Sequence, residues 1–255
     1  MDKTSMGGPV EIAKALRARL APLRFGAPVT HVYQPLDYAW ASHAAWLTRW
    51  GTGPREVVLL GMNPGPWGMA QTGVPFGEPA LVRGVLGIEA AVGKPLVEHP
   101  KRPVLGFAST RREVSGQRLW GWVRDVFGGA EAFFGRFVVV NYCPLSFMEA
   151  SGRNRTPDKL AASERAPLYA ACDAALRARI AHHRPRWVVG IGAFGEERAR
   201  AAWGEADGVR FGRILHPSPA SPLANKGWAR QATAELAALG IVDAALVEKA
   251  AALEA

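Results

Sequence analysis

Between residues 61 and 78 the chain reads GMNPGPWGMAQTGVPFGE. Its glycines admit positive φ, and its prolines fix φ and lack an amide donor. No helix is expected to start in such a segment. It follows the apolar run EVVLL at 56–60, which has the pattern of a buried strand. A second stretch, HPSPASPLANKGW at 216–228, follows the apolar run at 211–215 in the same way. Constrained loops on a rigid scaffold are where function concentrates. The pair predicts a pocket at the ends of two strands, with Asn63 on one wall and His216 on the other.

Four short apolar runs, at 56–60, 137–141, 186–191 and 210–216, predict buried parallel strands. Helical patterns fill the chain between them. They cover 9–23, 36–50, 79–87, 115–127, 156–183, 194–203 and 226–239, with another from 242. Thr156 before Pro157 reads as an N-cap followed by an N1 proline, opening the long helix. Strands alternating with helices imply an open α/β sheet covered on both faces. Ligands bind such sheets outside the carboxyl ends of the strands. Asn63, Asn141 and His216 all fall at or just after such ends. Residues 93–110 are rich in Pro, Lys and Arg and predict a long surface loop. With no internal repeat or linker, the expectation is one domain over 1–255, with a helical extension at about 9–50 packed on it.

Composition narrows the classes further. No apolar run approaches the roughly 20 residues of a membrane span, so no membrane partner is expected. The first 23 residues lack an apolar core and a small-residue cleavage site, so a secretory signal is not expected. The two cysteines, Cys143 and Cys172, make no disulfide framework, and a cytoplasmic location is expected. Nor can they supply the four thiolates of a structural zinc site or an iron–sulfur cluster. Thirty-one Lys and Arg against twenty-two Asp and Glu give a net charge of +9 and a pI near 10.1. That balance fits a polyanion such as nucleic acid, the alternative being a solvated basic surface. Without heptads or a large apolar face, a monomer is expected.

The 61–78 loop, EHPKRPVLG (98–106), EVSGQRLWG (113–121), NYCPL (141–145), SGRNRTP (151–157) and HPSP…NKGW (216–228) occur in this order. Together they resemble the single-strand-selective monofunctional uracil-DNA glycosylase family, over about residues 56–239. The resemblance implies the three-layer α/β/α uracil-DNA glycosylase fold around a mainly parallel four-stranded sheet. It implies hydrolysis of the N-glycosidic bond of deoxyuridine in single- or double-stranded DNA, leaving an abasic site, with no metal and no cofactor.

The resemblance also implies residue roles. Asn63 orients the attacking water, which a neutral amide can hold without acting as a strong base. His216 donates to uracil O2 as charge builds on the departing base; its protonation state is open. Asn141 offers a donor and an acceptor to uracil O4 and N3–H. Phe76 is the stacking platform, and Met62 joins the substrate-binding set. Gly65 leaves room beside uracil C5. A water held there near Gly65 and Met69 can be replaced by a 5-hydroxymethyl group but not by a methyl group. Ser218, Ala220, Ser221, Lys226 and Arg153 are the expected DNA contacts. The family has an Arg just after HPSP, where this chain has Ala220, and a Phe where this chain has Trp67. No Lys lies within 61–78, 141–145 or 216–219 to form a Schiff base, which fits a monofunctional enzyme. The alternatives are a glycosylase acting mainly on hypoxanthine or xanthine, and a non-catalytic DNA-binding module.

Overall fold

The computed structural model describes residues 7–204 and 208–253. Residues 1–6, the start of the segment read as lacking a secretory signal, lie outside the described residues. The described strands are β1 (Val29–Tyr33), β2 (Val57–Gly61), β3 (Phe137–Asn141), β4 (Ser146–Glu149), β5 (Asn154–Arg155), β6 (Trp187–Ile191) and β7 (Arg210–Ile214).

The central sheet has four strands in the order β3-β2-β6-β7, all parallel. Every residue of β2 is buried, so its sequence VVLLG shows no polar alternation. The register sets Gly61 directly opposite Asn141, so β2 and β3 end side by side. The helix Ala193–Trp203 packs on β6, β7 and β2, and Trp228–Ala238 packs on β7. The helix Pro9–Leu20 packs against the long helix Ala162–His183. Aromatic rings knit the core beneath β3, with Phe133 stacked on Phe137 at 4.9 Å and Trp50 on Phe134 at 4.7 Å. Cys143 and Cys172 are buried free thiols. Among the described residues, no helix is long and apolar enough to cross a membrane.

The structure departs from the sequence expectations in several places, each with a local cause. β7 stops at Ile214, because Leu215 turns its backbone away from the ladder. Its N–H donates to the Glu235 carboxylate at 2.6 Å, and its carbonyl accepts from Trp228 Nε1 at 2.7 Å. His216 therefore leaves the sheet as the start of a loop. A second sheet, antiparallel in the order β1-β4-β5, places a strand inside the 9–50 segment read as helical. The pattern at 156–183 is interrupted. Pro157–Lys159 form a 3₁₀ turn, Leu160 and Ala161 are extended, and the α-helix begins at Ala162. Thr156 makes no side-chain capping bond there. Gly227, at φ +106°, separates the 3₁₀ turn Ala224–Lys226 from the helix Trp228–Ala238. Within 61–78 a helical turn does form, Met69–Thr72, closed by Gly73 at φ +74°. The 93–110 segment is a loop apart from a 3₁₀ turn at Gly106–Ala108, yet His99 and Val104 in it are buried.

Candidate active site

A cavity of about 320 Å³ opens at the carboxyl ends of β2 and β3. Met62, Asn63, Pro64 and Gly65 enter it from the loop after β2, and Gly68, Met69 and Phe76 from further along that loop. Asn141 contributes the end of β3, and His216 and Ser218 come from the loop after β7. Glu113, Ser115, Asn154 and Thr156 complete the lining. Ala220, Ser221, Lys226 and Arg153 do not line this cavity. Ala220, Lys226 and Arg153 are exposed. Lys226 borders a separate, wider groove of about 620 Å³ with Arg118, Arg124 and Arg230. That groove contains none of the strand-end residues and is open to solvent, so the smaller cavity is the better candidate for chemistry.

Glycine at 61 lets the floor close. A Cβ there would meet Asn141 Oδ1 at 2.5 Å and Phe76 Cε2 at 2.7 Å. Phe76 itself sits in the left-handed region at φ +52°. For a non-glycine residue that conformation costs roughly 1–3 kcal/mol and persists only where the surroundings impose it. Here its carbonyl accepts from Trp120 Nε1 at 3.0 Å and from the Glu78 amide at 2.8 Å. The helix Val114–Asp125 presses against the same carbonyl at Gly116, where a Cβ would come within 2.1 Å. The Phe76 and His216 rings are 6.1 Å apart, tilted by 45°. At Gly65, by contrast, a Cβ would meet nothing within 4 Å.

Hydrogen bonds fix which atom of each polar group is free. Asn63 Nδ2 donates to the Leu145 carbonyl at 3.1 Å. The acceptor oxygen of the amide is then left for a ligand or a water. His216 Nδ1 accepts from the Ser218 amide at 3.1 Å. The ring proton therefore resides on Nε2, making that atom a donor. Burial pushes the His216 pKa down to about 4, so the ring is neutral at physiological pH. Among the described residues, the hydrogen-bond partner of Asn141 Nδ2 is the Met69 thioether, at 3.4 Å. Sulfur is a weak acceptor, readily replaced by a ligand carbonyl.

Glu113, to which no role was assigned from sequence, N-caps the helix Val114–Asp125. Its carboxylate accepts from the Ser115 amide at 3.1 Å and the Gly116 amide at 2.5 Å. Burial raises its pKa against those two bonds. It also backs Gly68, where a Cβ would lie 3.0 Å from Glu113 Cγ. An acidic residue just ahead of the helical pattern at 115–127 was the available signal, since Asp and Glu are favoured near helix N-termini. Asn154, at the start of β5, has a buried amide oxygen with no hydrogen-bond partner among the described residues. On the outer side of the loop, Trp67 carries two guanidinium groups over its ring, Arg102 at 5.3 Å and Arg111 at 5.4 Å. Arg118 fastens the loop that carries His216, donating to the Pro217 carbonyl at 3.0 Å and to Asn225 Oδ1 at 2.8 Å. Among the described residues, no group of three or more His, Cys, Asp or Glu is placed to hold a metal ion.

The family model of the uracil DNA glycosylase superfamily matches residues 50–239. A Rattus norvegicus protein named single-strand selective monofunctional uracil-DNA glycosylase is 49% identical over 92% of this chain and 85% of its own length. A Bos taurus protein of the same name is 48% identical over 89% of this chain and 84% of its own. The crystal structure of wild-type SMUG2 from Pedobacter heparinus covers 90% of this chain and 97% of that one, with a TM-score of 0.64. At 17% identity, that last likeness is one of fold.

Proposed function

The chain belongs to the uracil DNA glycosylase superfamily, and from that premise we propose that it is a monofunctional uracil-DNA glycosylase whose chemistry runs on Asn63 and His216. The observation that carries the residue assignment is the locked His216 ring. The Ser218 amide occupies Nδ1, so a neutral Nε2–H donor is present at the pocket before any substrate arrives.

The uracil flips out of the DNA stack, as any base must before an enzyme can reach it. It stacks on Phe76. Asn141 Nδ2 exchanges the Met69 sulfur for uracil O4, and Asn141 Oδ1 accepts N3–H. Cytosine presents the reversed pattern and is refused. The bond between C1′ and N1 then breaks, and its electron pair passes to the base. His216 Nε2–H donates to O2 as that charge builds, with no proton transfer required of a ring this hard to protonate. Asn63 Oδ1 holds the water whose oxygen bonds to C1′, the transition state being oxocarbenium-like. The water proton goes to solvent, and the abasic sugar remains. Asn63 supplies no negative charge, so most of the rate comes from positioning and leaving-group stabilisation.

The open space at Gly65 favours turnover of 5-hydroxymethyluracil beside uracil. DNA engages through cations around the mouth: Arg102 and Arg111 on Trp67, Arg153, and Lys226 in its groove. Ser218, Ala220 and Ser221 lie against the strand. Ala220 is too short to fill the gap left by a flipped nucleotide. Leu223 in the same loop is 62% exposed and is the apolar side chain fitted to that task. The chain acts as a monomer, since it supplies every residue of the pocket. It works in the cytoplasm, a compartment that suits two reduced thiols.

The test is strand cleavage after alkali, on single- and double-stranded oligonucleotides carrying uracil, 5-hydroxymethyluracil, hypoxanthine or thymine. Uracil should be excised fastest and thymine left intact. Faster excision of hypoxanthine would reassign the substrate, and binding without cleavage would reassign the chain as a DNA-binding module.

A further inference from the structure

Arg179 is the single Lys or Arg among the described residues that is buried, at 6% exposure. It lies on the inward stripe of the helix Ala162–His183, in line with Cys172, Ala175, Leu176 and His183. Some part-buried arginines of the fold have acids, whereas others, such as Arg102, donate to backbone carbonyls. Arg198 pairs with Asp173 at 2.6 Å, and Arg155 with Glu149 at 2.9 Å. No carboxylate among the described residues pairs with Arg179; the Cys172 thiol lies near it, and its hydrogen bond with Cys143 and its burial keep that thiol neutral. Burial lowers its pKa to about 10, which still leaves it charged at neutral pH.

Arg179 borders a cavity of about 10 Å³, the size of one water molecule. His43, Met69, Val140 and Asn141 are on the same walls. Met69 and Asn141 also line the base pocket. They form a partition with the base on one side and the arginine on the other. His43 stands beside the arginine in its neutral form. Its Nδ1 bonds the Gly73 carbonyl at 2.7 Å, burial holds its pKa near 4, and the charge of Arg179 pushes in the same direction.

An unpaired buried guanidinium is an expensive thing to keep in a core, and an apolar residue of similar volume is often neutral or stabilising in its place. The demand that could sustain it lies across the partition. Cleavage of the glycosidic bond leaves a full negative charge on uracil, delocalised over O2, N3 and O4. A fixed positive charge in a dry, low-dielectric region stabilises such an anion without reorganisation. Asn141 transmits the effect, because its amide is polarised on one face and bonded to O4 and N3–H on the other.

We propose that Arg179 is a positioning residue for the departing base: seated behind Asn141 and Met69 with no acid to neutralise it, its charge stabilises the uracil anion as the glycosidic bond breaks. This rests on the glycosylase reading and adds a residue that never touches the substrate.

Leaving-group dependence tests it. Fluorine at C5 acidifies uracil, so a 5-fluorouracil anion needs less help from the protein, and a fluorine fits the open space at Gly65. Single-turnover rates are measured on strands carrying uracil or 5-fluorouracil, for the wild type, Arg179→Met and Arg179→Lys. Arg179→Met keeps the volume without the charge and should slow uracil release roughly tenfold but 5-fluorouracil release only about threefold. Arg179→Lys should stay within about threefold of wild type on both. If Arg179→Met gives no cooperative melt, Arg179→Gln carries the same comparison. An equal loss on both bases, or a lysine variant as slow as the methionine one, overturns the proposal and leaves Arg179 a packing residue. Wild-type cleavage of the uracil strand tests the glycosylase reading separately, so the two ideas fail on different measurements.

Discussion

Asn63 and Leu223 both sit in loops that follow a strand of the central sheet, yet the first is tied to the rest of the fold along its length and the second chiefly to itself. The loop after β2 is sewn down along its length. The Tyr142 and Cys143 amides donate to the Gly61 and Met62 carbonyls, both at 2.9 Å. The buried Gln71 bridges two loop segments, donating to Pro66 and Pro103 carbonyls at 2.9 and 3.0 Å and accepting from the Leu105 amide at 2.8 Å. The loop after β7 begins rigid, with His216 held by the Ser218 amide, and then holds itself by local turns. Ser221 N–H donates to the Ser218 carbonyl at 3.0 Å, and Asn225 Nδ2 to the Pro219 carbonyl at 3.0 Å. Arg118 anchors it from another element. The contrast separates two jobs. Bond breaking needs atoms held within fractions of an ångström, whereas gripping DNA needs a surface that can adapt.

If the fastened loop carries the chemistry, Asn63→Ala should be the most damaging single change. Single-turnover excision of uracil should fall by roughly 10²–10³-fold, with affinity for uracil DNA nearly unchanged. A variant that keeps its rate would remove Asn63 from the mechanism.

Gly65→Tyr sharpens the pocket side of the comparison. The phenol should occupy the space beside C5, cutting 5-hydroxymethyluracil excision by roughly 10²-fold while uracil stays within about tenfold. An unchanged ratio of the two rates would mean that Gly65 does not border C5.

Leu223→Ala addresses the adaptable side. Duplex excision should drop by roughly tenfold, and single-stranded excision should hardly move, because only a duplex has a gap to keep filled. Equal losses on both forms would place Leu223 in folding rather than in wedging.

Acid should affect stability before chemistry. Burial depresses the His43, His183 and His216 pKa values to about 4, from 6.5. The unfolded chain therefore binds protons that the native state refuses. Stability is complete above about pH 6.5 and is lost as pH falls toward 4. The melting temperature should fall over that window, while turnover per folded molecule stays flat between about pH 6 and 8. A rate that rises below pH 7 would mean that His216 works protonated.

The parallel sheet was legible because its strands are continuous apolar runs with Gly, Pro or polar residues at their ends. Strand ends are also where Asn63, Asn141 and His216 became visible. The antiparallel sheet was not, for β5 is a pair of residues and β1 finds its partner only in β4, far along the chain. The Thr-Pro pair at 156 does not start the long helix: it opens a 3₁₀ turn without a side-chain cap. Glu113 and Asn154 reach the pocket through a helix cap and a short edge strand, neither of which has a period to detect. Arg179 looks like one more charge on an Arg-rich helix. Its inward position follows from the helix as packed, since a polar residue on a buried stripe reads from sequence as a break in the stripe.

The strand order has a consequence for how the protein is made. β2 leaves the ribosome early, but its neighbours β3 and β6 arrive later, and translation adds only roughly 5–20 residues per second. Through that interval both edges of an apolar strand stay unpaired, the condition in which nascent chains recruit chaperones or stick to one another. His216 is synthesised later still, after β7. A growing chain thus carries no complete pocket, and excision becomes possible only once the segment after β7 has been made.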